Sequence, residues 1–297
     1  MARSILAAID GSPQASRALA VAAGIATRHH APLTVLTAAR RSEDAAAARL
    51  LEEATAAASG PPVTARIAIG QPAAAIIEEA ETGAHDLVVV GSRGRGAVAS
   101  TLLGSVTRSV VGTCPAPVLV LRGDDDAAVA AGPFRSILVA IDESSSCRFA
   151  LEQAVDLARV DGARLTVMTA VNLRRVLGQP ESARVRIQLD LAEHAQAFLD
   201  DAMWDIPDDV PVDTLMTLGG VEAAILAEIE SGRHDLLVLG SRGLSPLRAT
   251  LLGSVGLAML WRCPVSVLIA RPPAGSDGTG TESGSDAEAT AIARTER

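Results

Sequence analysis

The stretch Leu87-Val88-Val89-Val90-Gly91-Ser92-Arg93-Gly94 decides how this chain folds. Its four leading apolar residues show no polar alternation, which predicts a strand covered on both faces, as in a parallel sheet flanked by helices. Gly91 lets the backbone turn sharply at the carboxyl end of that strand, and Gly94 is able to take φ > 0, so the loop can wrap an anion. After nine intervening residues Gly94 is followed by Gly104-Ser105-Val106, which reads as the opening of a helix. Free backbone N–H groups, the positive end of the helix dipole and the Ser105 hydroxyl would favour phosphate oxygens there. In open α/β sheets this edge is also where ligands bind.

The pattern occurs twice. Gly240-Ser241-Arg242-Gly243 repeats the loop and Gly253-Ser254-Val255 repeats the helix opening, both at an offset of 149 residues. Ser4 to Asp10 (SILAAID) returns as Ser136 to Asp142 (SILVAID), and Leu33 to Ala38 (LTVLTA) returns as Leu165 to Ala170 (LTVMTA), both at an offset of 132. The second copy therefore carries 17 extra residues between about Ala170 and Gly219. Two copies of well over 100 residues each are a domain duplication and not a solenoid.

In the first copy, strands are expected near 4–9, 33–37, 63–69, 86–90 and 117–121, with helices near 13–27, 44–58, 72–82 and 105–111. The expected class is α/β: two tandem five-stranded parallel sheets with helices on both faces. The domain reading is 1–121, a linker at 122–133 containing Asp124-Asp125-Asp126 and Gly132-Pro133, a second domain at 134–271, and a polar tail at 272–297 expected to be disordered. The insert, around 174–206, is expected to form a long helix with Val185, Leu189, Leu191, Phe198, Leu199 and Met203 along one side. It reads either as a surface elaboration or as a lid over the second site.

Composition narrows the function classes. A chain of 297 residues, 48% apolar and 21% charged, suits two ordinary folded domains. A net charge of -9 with no dense cationic cluster argues against nucleic acid. All 26 basic residues are arginines, which excludes a P-loop lysine and a Schiff-base lysine. Cys114, Cys147 and Cys263 form no close pair and suggest reduced thiols in a cytoplasmic protein. No apolar run reaches the ~18 residues of a membrane span, so no membrane partner is expected. His29, His30 and His194 lack metal-ligand spacing, so no metal site is expected.

An acid ends the first strand of each half: Asp10 before Gly11-Ser12-Pro13, and Asp142 before Glu143-Ser144. If the first and fourth strands are neighbours, each carboxylate faces its glycine loop and can accept hydrogen bonds from ribose hydroxyls or an adenine amine. Ala8 and Ala140, two residues earlier, offer backbone contacts to the same ligand. A plain helix N-cap role for the acids and plain turn roles for the glycines are the structural alternatives. The run Gly94-Arg95-Gly96-Ala97-Val98-Ala99 fits a dinucleotide fingerprint, but Gly243-Leu244-Ser245 breaks it in the second copy, so that reading is rejected.

The strand ending in Asp, the glycine spacing and the Gly-Ser-Val helix opening together resemble the universal stress protein family in its tandem two-domain form. The resemblance covers Ser4–Leu121 and Phe134–Ala270. It implies a strand order of 3-2-1-4-5 in each domain, pairing of the two domains through their fifth strands, with a homodimer beyond that left open, and ATP binding, with Mg2+ held by the phosphates. By position it implies that Asp10 meets the nucleoside, that Ala38 touches the base through its backbone, and that Gly91, Gly94, Gly104, Ser105 and Val106 hold ribose and phosphates. The matching residues are Asp142, Ala170, Gly240, Gly243, Gly253, Ser254 and Val255. Ala38 and Ala170 stand where the family often has a larger aliphatic residue, and the chain has no tyrosine for base stacking. Ser92, Arg93, Ser241 and Arg242 lie within the loops, where the arginines are able to pair with phosphate oxygens.

The expectation is a nucleotide-linked regulator with no catalytic residue set. The alternatives are an interaction scaffold with vestigial loops and a slow ATPase or self-phosphorylating protein using Ser105 or Ser254. His85 and His234 occupy equivalent positions before the fourth strand, and Cys114 and Cys263, each before a proline, are read as buried apolar thiols.

Overall fold

The computed structural model describes residues 4–41, 44–58, 60–83, 85–94, 103–122, 134–173, 180–241 and 252–272. The parts of the linker and tail beyond these, together with Arg242 and Gly243, lie outside the described residues. The first half runs β1 (Ile5–Ile9), α1 (Pro13–Arg28), β2 (Leu33–Ala39), α2 (Ala45–Ala57), β3 (Val63–Ile69), α3 (Pro72–Thr82), β4 (Leu87–Gly91), α4 (Ser105–Thr113) and β5 (Val118–Leu121). The second runs β6 (Ser136–Ala140), α5 (Ser145–Asp161), β7 (Arg164–Val171), α6 (Glu181–Trp204), β8 (Val212–Leu218), α7 (Val221–Glu230), β9 (Leu236–Gly240), α8 (Ser254–Arg262) and β10 (Ser266–Ala270).

Local chemistry sets these boundaries. Ser12 accepts from Ala15 N at 3.2 Å ahead of Pro13, and so caps α1. Asp44 accepts from Ala46 N and Ala47 N at 3.0 and 3.2 Å and does the same for α2. Helix α5 ends on Gly162 at φ +67°, a left-handed conformation that suits glycine.

Strand alternation builds two cores at once. Ile5, Ala7 and Ile9 face one helix layer while Leu6 and Ala8 face the other, and β4 and β5 divide in the same way. Each fully buried Leu, Ile or Val side chain contributes roughly 1.5–3 kcal/mol. Both cores draw residues from both halves, because all ten strands form one sheet in the order β3-β2-β1-β4-β5-β10-β9-β6-β7-β8. Each half is parallel with the expected order, but the fifth strands pair antiparallel, with Leu268 opposite Leu119. The two expected sheets are thus one mixed sheet.

The insert differs from expectation in its face. Helix α6 spans 24 residues against 13 in α2, and Leu199 is buried, but Val185 and Leu189 are 58% and 59% exposed. At 1.5 Å per residue the helix is roughly 36 Å long, against roughly 26 Å for the eight residues of β7 beneath it, so one end has no sheet to cover.

Candidate functional site

Strand β1 pairs with β4, Ala7 opposite Val89, so Asp10 and the loop after Gly91 emerge side by side at one sheet edge. Gly11, at φ +77°, turns the chain after Asp10, and Ser12 N donates to Asp10 Oδ1 at 2.9 Å, which fixes the carboxylate. Its other oxygen, Oδ2, stands too close to where a Cβ on Gly94 would be for both to fit without a shift. The acid therefore closes directly on the glycine loop.

The loop returns to the helix through Gly104 N, which donates to Ser92 O at 2.8 Å, and Ser92 N donates to Leu121 O at 3.0 Å. Ser92 is buried behind the loop, as is Ser241 in the second half, whereas Arg93 and Gly94 face the cleft. A Cβ on Gly104 would meet Ser92 O at 3.4 Å, ordinary contact, so position 104 has room for a methyl group. Helix α4 begins at Ser105 with no side-chain cap, leaving its first backbone N–H groups directed at the cleft. Thr107 Oγ1 donates to Gly91 O at 2.7 Å and pins the helix to the strand end.

These groups surround a cavity of about 560 Å³. Ala8, Asp10, Ala38, Gly91, Arg93, Gly94, Gly104, Ser105 and Val106 all line it, so of the first-half residues singled out in the sequence only Ser92 stays behind. Sequence reasoning missed the shoulder formed by α2, with Asp44, Ala46, Ala47 and Leu50, and the apolar floor of Leu36 and Ile76. Hydrophobic patterning marked those side chains only as core or surface, and nothing local connects them to the glycine loop.

The second half repeats the frame with different contents. Gly253 N donates to Ser241 O at 2.7 Å, Ser241 N donates to Ala270 O at 2.9 Å, and α8 also opens without a side-chain cap. Ala140, Asp142, Ala170, Gly240, Gly253, Ser254 and Val255 line a cavity of about 250 Å³. Cys147, the counterpart of Ala15, donates through Sγ to Asp142 Oδ1 at 2.9 Å. Burial first, then the neighbouring Asp142 charge, pushes this thiol up to about 12. No described residue of α6 lines the second cavity, so the lid expectation finds no support in 181–204, and 174–179 lie outside the described residues. The insert instead reaches the loop after β6 through a hydrogen bond between His194 Nε2 and Glu143 Oε1.

His85 and His234 are structural. Ser4 Oγ and Glu79 flank His85 at 2.8 and 3.5 Å, and Ser136 Oγ and Glu228 flank His234 at 3.1 and 2.8 Å, at the sheet edge opposite the clefts. Cys114 and Cys263 are buried, and desolvation raises both thiols above the usual range. Among the described residues no helix is long and apolar enough to cross a membrane.

Comparison with known proteins places both halves in one family. The family model described as universal stress protein family matches residues 1–122 and again 133–271. A universal stress protein of Mycobacterium tuberculosis is 34% identical over 191 residues, covering 63% of this chain and 62% of its own. The chain thus spans under two thirds of the length of that relative. One from Thermus aquaticus is 40% identical over 137 residues, covering 41% of this chain and all of its own. Among solved structures, a universal stress protein from Archaeoglobus fulgidus superposes with a TM-score of 0.61 at 21% identity, covering 90% of this chain and 98% of its own.

Proposed function

Because this chain belongs to the universal stress protein family, with one family domain in each half, we propose that it binds an adenine nucleotide of the ATP class and acts as a nucleotide-linked regulator. The observation that carries this reading is the closure of Asp10 on Gly94 beside the uncapped start of α4, around a cavity of about 560 Å³. Small-molecule sites span roughly 300–1,000 Å³, so the first cleft has room for a nucleotide.

The roles divide by chemistry. Asp10 accepts from ribose hydroxyls. The backbone at Ala8 and Ala38 offers polar groups to the base above the apolar floor. Gly91, Gly94, Gly104, Ser105 and Val106 present N–H groups to phosphate oxygens, with Arg93 as counter-charge. Mg2+ would be held by the phosphates. The domain limits 1–121 and 134–271, the linker and the tail are part of the same proposal, as is a second, smaller site at Ala140, Asp142, Ala170, Gly240, Ser241, Arg242, Gly243, Gly253, Ser254 and Val255. Binding would favour one conformer of the protein by mass action and so link nucleotide level to whatever surface that conformer presents.

Calorimetric titration with Mg-ATP tests the reading. Saturable binding supports it, and a protein that stays unliganded at millimolar nucleotide, with no shift in its melting midpoint, favours the scaffold alternative. Phosphate release above buffer would support the slow ATPase alternative.

A further inference from the structure

In each half an arginine follows the fifth strand, and the two arginines cross the seam. Arg122 follows β5 and its Nη2 donates to Leu260 O in the last turn of α8; Arg271 follows β10 and its Nη2 donates to Val111 O in the last turn of α4. Arg122 and Arg271 correspond at an offset of 149, as do Val111 and Leu260, so the exchange is reciprocal. Arg271 is only 4% exposed.

The choice of carbonyl has a reason. The last carbonyls of a helix lack an intrahelical donor and carry the negative end of its dipole. In α4, Cys114 N takes Val110 O at 2.8 Å, and in α8, Cys263 N takes Met259 O at 2.9 Å. The next carbonyl in each helix is the one that the opposite arginine reaches, and a cation there also suits the dipole. Each helix has only nine residues, and its other end is a cradle, Gly104-Ser105 or Gly253-Ser254. Whatever holds the carboxyl end along its axis also sets where the amino end lies.

The connection runs back to the loops. Leu121 O, one residue before Arg122, accepts from Ser92 N, and Ala270 O, one residue before Arg271, accepts from Ser241 N. Each strand end therefore holds its own glycine loop and, through the arginine, the helix of the other half.

We propose that Arg271 is a positioning residue for the first cradle and Arg122 for the second, so that each nucleotide site is completed by a contact from the opposite half. The proposal rests on reading the cradles as phosphate sites.

The test measures Mg-ATP affinity of the full chain by calorimetry. A Gly253→Glu background isolates the first site and a Gly104→Glu background isolates the second. In the first background Arg271→Gln is expected to weaken binding about fivefold, with Arg271→Lys recovering part of the loss, while Arg122→Gln changes it by less than about twofold. In the second background the two arginines exchange roles. A contribution to overall stability alone would not produce this crossed pattern. If Arg271→Gln does not fold, Arg271→Lys carries the same comparison through its smaller loss. Equal weakening of both sites by either arginine, a site answering to the arginine of its own half, or no effect overturns the proposal. A parent protein that binds no ATP at either site overturns the nucleotide reading beneath it.

Discussion

Asp10 Oδ2 occupies the space that a Cβ on residue 94 would need, so the acid and the loop fit together only because Gly94 has no side chain. The acid is not free to retreat, since Ser12 N holds its other oxygen at 2.9 Å. Gly94→Ala should therefore displace the carboxylate from the cleft and leave the cores intact. The expected outcome is a loss of roughly tenfold or more in nucleotide affinity at the first site, with a melting midpoint close to that of the parent. An alanine variant that binds as the parent does would show that Asp10 plays no part.

Position 104 separates sterics from charge. A Cβ there makes only ordinary contact, 3.4 Å from Ser92 O, so Gly104→Ala should fold normally and bind nucleotide with a modest loss. Gly104→Glu places an anion at the uncapped start of α4, where phosphate is proposed to lie, and should abolish the first site. Titration of both variants checks this, and equal affinities would refute the phosphate assignment.

Cys147 donates to Asp142, a contact that its alanine counterpart, Ala15, has no side-chain donor to make with Asp10. Cys147→Ala should raise nucleotide affinity at the second site, because Asp142 gains an acceptor lone pair and the cleft gains room. With its pKa pushed up to about 12, the thiol should resist iodoacetamide at neutral pH until the protein unfolds. Rapid labelling of the native protein at this residue would contradict that.

The same thiol sets an alkaline limit. A folded pKa above the unfolded value of 9.0 means that stability is fully present below pH 9 and is lost as pH rises toward 12. Cys114 and Cys263 shift in the same direction. Cys147 can contribute a slope of up to about 1.4 kcal/mol per pH unit in that window. Chemical denaturation at several pH values should show the slope become shallower in Cys147→Ala.

At the seam on the other face, Arg28 donates to Asp161 Oδ1 at 2.6 Å and Phe134 N donates to Asp161 Oδ2 at 3.1 Å. Asp161→Ala leaves both donors unmatched and should cost about 3 kcal/mol. His29 lies in this seam near Asp161, Asp156 and Arg28, with neither ring nitrogen hydrogen-bonded among the described residues. Burial, more than any neighbouring charge, lowers its pKa, so its contribution is present above pH 6.5 and is lost as pH falls through the lower folded value. His29→Leu should flatten the acid limb of the stability profile between those values, and an unchanged limb would exclude this role.

Much of the architecture was legible because its signals are local. The apolar run 87–90 marks a strand buried on both faces, Pro72 and Pro13 mark helix starts, and the glycine spacing marks a loop that turns at a strand end. The face of α6 was not legible. Val185 and Leu189 have the spacing of a buried stripe but are exposed, on a helix longer than the strand it packs on, and a sequence does not reveal where its support ends.

The amino-acid sequence by itself determined the duplication and the alternation of strands and helices, because each depends on spacing within one short segment or on its recurrence. Tertiary structure alone decided that the fifth strands run antiparallel, that the Cys147 thiol meets Asp142, and that Arg122 and Arg271 exchange helices across the seam. The two arginine contacts join residues 138 and 160 positions apart. No local preference specifies them; they form because burying Leu119 against Leu268 brings the two strand ends together.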